Sequence, residues 1–340
     1  MTLFVGPVAS TGGPAIKNST TIKHLFPSGS VKIINTYKRD IWSRATSILR
    51  TAVSCEKQAI IAVSRKGRAA LWPIAYRKAK LDPRFRYALV CIGGTIAEEA
   101  KDNRRYIEYM NNAAVVTVET NGVADELEKL GVISPHVMTN FVDNLLAKRP
   151  AVHPNRRGPL RFVYLSSVRN KKGIETMLAA FRSALSSGLT ASLDIYGPIK
   201  TDFNPALLEG IGKDEPIAYK GVVPSEDVVS VLAGYDCFIF PSEYETEGFP
   251  AVLAEAMAAG LPILASDVSY NPEIVCNGNN GWVYRSGDAS ALADLLCQCE
   301  KRRGELDEMA RNNFEECLRY DAGRVVGKLR NALLAQGWVL

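Results

Sequence analysis

Two kinds of run alternate along this chain. Short apolar segments, each closed by Gly, Pro, Asn or Ser, are separated by longer stretches of helix-forming composition. The short segments read as buried parallel strands: 4–5, 31–35, 59–63, 87–92, 113–118, 162–165, 193–196, 218–223, 237–240, 262–265 and 281–284. The stretches 15–26, 41–54, 66–80, 102–111, 123–130, 227–233, 251–259, 288–301, 304–318 and 322–336 read as helices. Strand and helix in strict alternation predict parallel sheets with helices on both faces, begun once at the N-terminus and again near residue 160.

The most informative pattern lies in 235–266. The strand Cys237–Phe240 ends at Pro241-Ser242, and a polar loop leads to Gly248-Phe249-Pro250. A helix follows over 251–259, with Pro250 suited to its first position, Gly260 to its C′ position, and Pro262 preventing continuation. This helix is apolar except for Glu255. A buried carboxylate without compensation costs more than the ~1–3 kcal/mol of an unpaired neutral polar group, so Glu255 requires a partner, and a ligand would supply one. Glu247 sits on the loop before the helix. Two carboxylates thus bracket a helix N-terminus at the C-terminal end of a parallel strand, where open α/β sheets bind ligands. The free amides and the dipole of that terminus favour a diphosphate. A carboxylate on either side of a phosphate site suggests a nucleotide sugar, with Glu255 accepting from ribose hydroxyls and Glu247 from the sugar.

The string EGFPAVLAE from Glu247 to Glu255, followed by AMAAG, resembles the E-x7-E signature of retaining glycosyltransferases of family 4, of the polysaccharide-biosynthesis type. The flanking FIFPSEYETEGFP, LPILASD, PEIV and NGNNGWVYRSGD fit the same family. The resemblance is strong over 160–300 and loose over 1–150. It implies an α/β GT-B fold, with two Rossmann-like domains whose parallel sheets face each other across a cleft. Residues 1–150 would form the acceptor-side domain and 151–320 the nucleotide-sugar domain, with the helix in 321–340 crossing back to the first. It implies transfer of a hexose or derivative, with retention, from a nucleoside diphosphate sugar (UDP favoured). The acceptor would be a hydroxyl of a glycan or lipid-linked saccharide, in surface polysaccharide synthesis. Front-face attack is expected, with the leaving diphosphate taking the acceptor proton.

The site residues follow motif by motif. SSVRNKKG, ending at Gly173, is similar to the family loop whose Arg and Lys hold the diphosphate. Lys172 matches the lysine; the arginine position is Ser167, with Arg169 nearby as a substitute. Glu247, Lys172 and Arg169 are therefore the expected catalytic residues. Donor binding is expected from Gly12 and Gly13 in the first glycine loop, from Gly197, Pro198 and Val222 on the nucleotide side, and from Gly248, Phe249, Pro250, Ala251, Val252 and Glu255. On the acceptor side, CIGGTIAEE places Gly93, Gly94, Glu98 and Glu99 where much of the family has a histidine. His24 reads as structural. Thr139–Asp143 matches the family's end of the first domain, and LLAKRPAVHPNRRGP reads as the linker.

Composition adds boundaries. The chain has 340 residues, 47% hydrophobic and 23% charged, an ordinary soluble globular balance that suggests two domains. No apolar run approaches the length of a membrane span, and MTLFVGPVASTGGP lacks a signal-peptide pattern. The seven cysteines, without disulfide spacing, read as free thiols in a reducing cytosol. Three histidines and no D-x-D motif point to no metal, and no other cofactor is expected. The net charge of +5 is uneven, because 38–86 holds thirteen Lys/Arg and three acids. With Trp42 and Trp72 among those charges, this stretch is expected to meet an anionic membrane, placing a cytoplasmic protein peripherally on the inner face of the plasma membrane. No recognition motif accompanies the charge, so nucleic acid is not expected. The alternatives are a non-catalytic GT-B nucleotide-sugar-binding subunit and a nucleotide-sugar epimerase.

Overall fold

The computed structural model describes residues 1–37, 41–148, 158–208, 211 and 215–340. Most of the linker stretch read in the sequence, and residues 38–40 of the basic stretch, lie outside the described residues. The strands are β1 (Thr2–Gly6), β2 (Val31–Asn35), β3 (Gln58–Val63), β4 (Arg86–Cys91), β5 (Val115–Val118), β6 (His136–Val137), β7 (Leu160–Leu165), β8 (Ala191–Tyr196), β9 (Ile217–Gly221), β10 (Cys237–Phe240), β11 (Ile263–Ser266) and β12 (Gly281–Tyr284). The helices are α1 (Gly13–Leu25), α2 (Ile41–Ala52), α3 (Arg65–Leu81), α4 (Ile96–Asp102), α5 (Arg105–Asn112), α6 (Asn121–Lys129), α7 (Leu145–Lys148), α8 (Ile174–Ser186), α9 (Val228–Leu232), α10 (Ala251–Ala258), α11 (Ala289–Lys301), α12 (Arg303–Glu316) and α13 (Ala322–Ala335).

The chain divides into two compact units. The first comprises Met1–Asp143, Thr246–Phe249 and Tyr320–Leu340, and the second Asn144–Glu245 and Pro250–Arg319. The first unit holds a parallel six-stranded sheet in the order β2-β1-β3-β4-β5-β6. Its order reverses between β1 and β3. Leu3, Phe4, Val5, Ile60 and Ala88 are fully buried, and Val325, Val326 and Leu329 of α13 pack in one core with Phe4, Ile60 and Ala88. The second unit holds the order β12-β11-β10-β7-β8-β9, also parallel, reversing between β7 and β10. Phe162, Tyr164, Leu193 and Ile195 pack there with Met177 and Phe181 of α8 and with Leu292 and Leu296 of α11. Strands covered on both faces explain the unbroken apolar runs. Both reversals are places where loops diverge and leave a crevice at the carboxyl ends of the strands.

Several boundaries differ from the sequence expectations. The helix expected over 102–111 is α5, and a further short helix, α4, precedes it; Asn103 separates the two, leaving helical geometry (φ −137, ψ 96) while its side chain accepts from the Arg105 amide at 3.2 Å. Pro250 is the N-cap of α10, in extended geometry, rather than its first helical residue. At the other end Gly260 (φ 70) sits at C′. The Leu261 amide donates to the Ala256 carbonyl at 3.0 Å and the Gly260 amide to Met257 at 2.9 Å, the pair of bonds of a Schellman cap. β9 stops at Gly221 (φ 81), so Val222 lies beyond the strand.

Trp72 and Arg68 depart from the expected basic membrane face. Trp72 is fully buried against Tyr106, ring centroids 5.3 Å apart. The Arg68 guanidinium is also buried, held by both oxygens of Glu99, the Ile92 carbonyl and Thr95.

Candidate functional site

In the second unit the loops after β7 and β10 flank the reversal of strand order, and three contacts join them. Gly173 (φ 69) lies against the Pro241 carbonyl so closely that a Cβ would overlap it. The Glu243 amide donates to the Lys171 carbonyl at 2.8 Å, and Thr176 Oγ1 donates to Glu243 Oε1 at 2.6 Å. Lys172 is thereby held with its Nζ 5.5 Å from the centre of the Phe240 ring and 5.7 Å from that of Tyr244. Gly173 and Pro250, the N-caps of α8 and α10, supply no side-chain cap. Their first-turn amides and dipoles favour an anion. Ala251 and Val252 occupy the first two helical positions of α10 and are half-buried.

Glu255 follows one turn later. Leu253, Ala254, Ala256 and Met257 around it are fully buried. Part of the residue's surface stays exposed, yet burial pushes its carboxyl up to about 7, with Lys148 pulling weakly the other way. No hydrogen bond reaches it among the described residues. Other enclosed carboxylates are partnered: Asp236 accepts from the backbone and guanidinium of Arg161 at 2.9–3.3 Å, and Glu99 is held by Arg68. Glu255 is therefore an acceptor in waiting on a helix that otherwise buries apolar surface.

The other expected donor-side residues have defined surroundings. Arg169 is exposed and forms an ion pair with Asp202 at 2.9 Å, so here its guanidinium is engaged by a carboxylate on the surface. Gly197 is accounted for by packing. A Cβ there would overlap the Ser166 carbonyl, its amide donates to the Gly221 carbonyl at 2.8 Å, and its carbonyl accepts from the Tyr219 hydroxyl at 2.8 Å. Both of its backbone groups are occupied. The Pro198 carbonyl accepts from the Val168 amide at 3.0 Å, and its side chain is exposed, as is that of Val222.

In the first unit the glycine loops end β1 and β4. Gly12 (φ 86) is the N-cap of α1, where a Cβ would lie 3.8 Å from the Tyr37 ring, and Gly13 is open on its Cβ side. Gly93 takes φ 89. A Cβ on Gly94 would come within 2.6 Å of the Glu247 carbonyl oxygen. Glu247, half-buried, belongs to a short segment, Thr246–Phe249, that packs with this unit, while Pro250 and α10 belong to the other. Asn140 donates to the Phe249 carbonyl at 2.5 Å, and the Phe249 ring packs against Tyr320 at 5.0 Å. Glu98 is exposed, whereas Glu99 is buried in its pair with Arg68, which removes it from the acceptor-side set. His24 pairs with Asp143 at 2.8 Å, and Lys23 meets the same carboxylate at 2.9 Å.

The sequence reading missed Lys17 and Glu119. Lys17 Nζ lies 2.7 Å from Glu119 Oε1, both side chains 4% exposed. Glu119 Oε2 accepts from the amides of Gly93 at 3.1 Å and Phe249 at 3.3 Å. The available signal was an acid directly after a buried strand, at the sheet end where ligands bind. All seven cysteines carry free thiols. Among the described residues no group of three or more His, Cys, Asp or Glu is placed to hold a metal, and no helix is long and apolar enough to cross a membrane.

Comparison with known proteins places this architecture. The chain is similar to the amylovoran biosynthesis glycosyltransferase AmsK of Erwinia amylovora, 32% identical over 168 residues, covering 48% of this chain and 40% of that protein. It is similar to the putative colanic acid biosynthesis glycosyltransferase WcaL of Escherichia coli, 30% identical over 190 residues, 54% of this chain and 44% of the other. The chain thus aligns with less than half the length of these relatives. Among solved structures it resembles HepE of Anabaena in complex with UDP (TM-score 0.77, 14% identity, 98% of this chain and 99% of that one). It also resembles a sucrose-phosphate synthase of Thermosynechococcus elongatus (TM-score 0.72, 15% identity, 98% and 99%). The fold is GT-B. The family model described as glycosyl transferases group 1 matches residues 147–316, half of the chain. The protein belongs to the group 1 glycosyl transferases.

Proposed function

We propose that this chain is a retaining hexosyltransferase of the family 4, E-x7-E type. It moves a sugar from a UDP-sugar to a hydroxyl of a glycan or lipid-linked saccharide in surface polysaccharide synthesis. The observation that carries the reading is Glu255, a carboxylate that burial pushes to about 7 and that no hydrogen bond reaches among the described residues. A ribose diol supplies two donors to such a group. The uncapped starts of α8 and α10, with Lys172 between aromatic rings, supply positive potential for a diphosphate in the same unit. The UDP in the HepE complex and the polysaccharide names of AmsK and WcaL favour this donor and this pathway.

In the proposed reaction the acceptor oxygen bonds to the anomeric carbon on the face from which the diphosphate departs. The bond from that carbon to the phosphate oxygen breaks, and the acceptor proton passes to the departing diphosphate. Lys172 and the helix-start amides stabilise the charge that develops there, the term that usually contributes most. Glu247 accepts from the sugar hydroxyls. Calorimetry with UDP, GDP, ADP, dTDP and their sugar conjugates tests the reading. One nucleotide is expected to bind, and Glu255→Ala to weaken it by more than about tenfold, the loss of a charged hydrogen-bond acceptor. Equal binding by the variant would overturn the ribose role. Sugar inversion without an acceptor would indicate an epimerase, and binding without turnover on any acceptor a non-catalytic subunit.

A peripheral location on the cytoplasmic face of the membrane belongs to the same proposal. Its support is α2, where Trp42 is 82% and Leu49 62% exposed, with Val53 just beyond at 66% and Arg50 also exposed. Flotation with phosphatidylglycerol vesicles at low salt tests it, and absence of binding would remove it.

A further inference from the structure

We propose that Glu119, paired with Lys17, is the positioning residue for Glu247; this rests on the sugar-binding role given to Glu247 above. The argument begins with what the Glu119 carboxylate joins. One oxygen pairs with Lys17 of α1 at 2.7 Å. The other accepts two amides, Gly93 from the loop after β4 and Phe249 from the segment that carries Glu247. Four stretches separated in sequence therefore meet on a single carboxylate. Both amides, at 3.1 and 3.3 Å, end on the same carboxylate oxygen, so the two loops share one anchor. Lys17 and Glu119 are enclosed together, and removing either partner would leave the other buried without its counter-charge.

The surrounding glycines show how tightly the segment is seated. A Cβ at residue 248 would overlap Glu119 Oε2 and come 3.1 Å from the Gly93 Cα. A Cβ at residue 94 would meet the Glu247 carbonyl at 2.6 Å. The backbone on both sides of Glu247 is thus pressed onto the Gly93–Gly94 loop, and the amide two residues after Glu247 is tied to Glu119. Asn140 fixes the carbonyl of the same residue, Phe249, from another direction. A carboxylate meant to recognise sugar hydroxyls must be held to within a fraction of an ångström. Glu119 does this without itself facing solvent, because its two oxygens are already taken by Lys17 and the two amides.

A double-mutant cycle distinguishes positioning from plain structural support. The probes are UDP and UDP-glucose, measured by calorimetry on the full chain, and the readout is the affinity advantage of UDP-glucose over UDP. In the wild-type background, Glu119→Gln is expected to cut that advantage by about fivefold or more while leaving UDP binding within about twofold. In the Glu247→Ala background the same substitution is expected to change it no further. A melting-temperature loss, by contrast, is expected to be equal in both backgrounds. Should Glu119→Gln fail to fold, Glu119→Asp enters the same cycle, because it keeps the Lys17 pair but retracts from the two amides. Equal effects of the Glu119 change in both backgrounds, or an unchanged advantage in the single variant, would overturn the positioning role alone. Failure of the wild-type protein to bind either probe, or an unchanged advantage in Glu247→Ala, would instead overturn the function on which it rests.

Discussion

Gly173, the residue before α8, lies directly against the carbonyl of Pro241, the residue after β10, with space for a hydrogen but not for a Cβ. They lie on the segments that follow β7 and β10, the pair of strands between which the second sheet reverses its order. The contact ties the two loops together, and Lys172, one residue earlier, lies with its Nζ 5.5 Å from the Phe240 ring.

Gly173→Ala is expected to be severe. The substitution meets both an overlap with backbone and a φ of 69, which disfavours any residue with a Cβ. A loss of about 3 kcal/mol or more is expected in urea unfolding. Gly287 takes a similar φ of 77 with nothing within 4 Å of its Cβ position. Gly287→Ala isolates the conformational part, expected near 1 kcal/mol. Equal losses at the two positions would show that the Pro241 contact is dispensable.

Glu98 and Glu99 are adjacent but have unlike surroundings. Glu99 is enclosed with Arg68, while Glu98 is exposed. Glu99→Ala leaves a buried guanidinium without its carboxylate and is expected to cost about 3–5 kcal/mol. Glu98→Ala is expected to stay within about 0.5 kcal/mol. Chemical denaturation of the two variants side by side checks this.

Lys172 and Arg169 should separate in the same way in function. The Arg169 pair with Asp202 is about half exposed, so Arg169→Ala is expected to change stability by less than about 1 kcal/mol. Lys172→Ala removes a cation held over two rings and is expected to lower transfer by about a hundredfold or more. Measured kcat with donor and acceptor tests both. A larger loss from Arg169→Ala would mean that the guanidinium leaves Asp202 when the diphosphate arrives.

The parts of this molecule that were legible in the sequence are those set by local pattern. Strands covered on both faces read as unbroken apolar runs, and Glu255 stood out as the one acid on an apolar helix. β6, only two residues long, has no periodicity to detect, and the α4–α5 break depends on the single backbone departure at Asn103. The pairs that build the first unit's loops were hidden for a different reason. Lys17 and Glu119 are 102 residues apart, and Arg68 and Glu99 are 31 apart. Such pairs are made by sheet topology, and each partner alone resembles any other charged residue. Trp72 was misread likewise: it shares the buried face of α3 with Arg68, one turn earlier, and its ring packs on Tyr106, neither of which its neighbours in sequence reveal.

Glu255 makes pH a direct probe of the site. Its carboxyl ionises near 4.5 in the unfolded chain, while in the folded chain burial holds it protonated up to about 7. Between those values the folded form binds more protons than the unfolded one, so stability falls as pH rises through that window. The loss is complete above about pH 7 and absent below about pH 4. Full burial would set its size near 3 kcal/mol, and the partial exposure of the residue lowers the expectation to about 2 kcal/mol. Glu255→Gln is expected to flatten this part of the stability profile and to be the more stable protein at pH 8. Ligand binding should run the opposite way. Ribose hydroxyls donate best to the ionised carboxylate, and a nucleoside diphosphate sugar has no phosphate that titrates near neutrality. Affinity is therefore expected to rise between pH 6 and 8 in the wild type, by up to about tenfold per pH unit below the carboxyl's pKa, and to stay level in Glu255→Gln. A rise that persists in the variant would assign the titration to another group and detach Glu255 from the ribose.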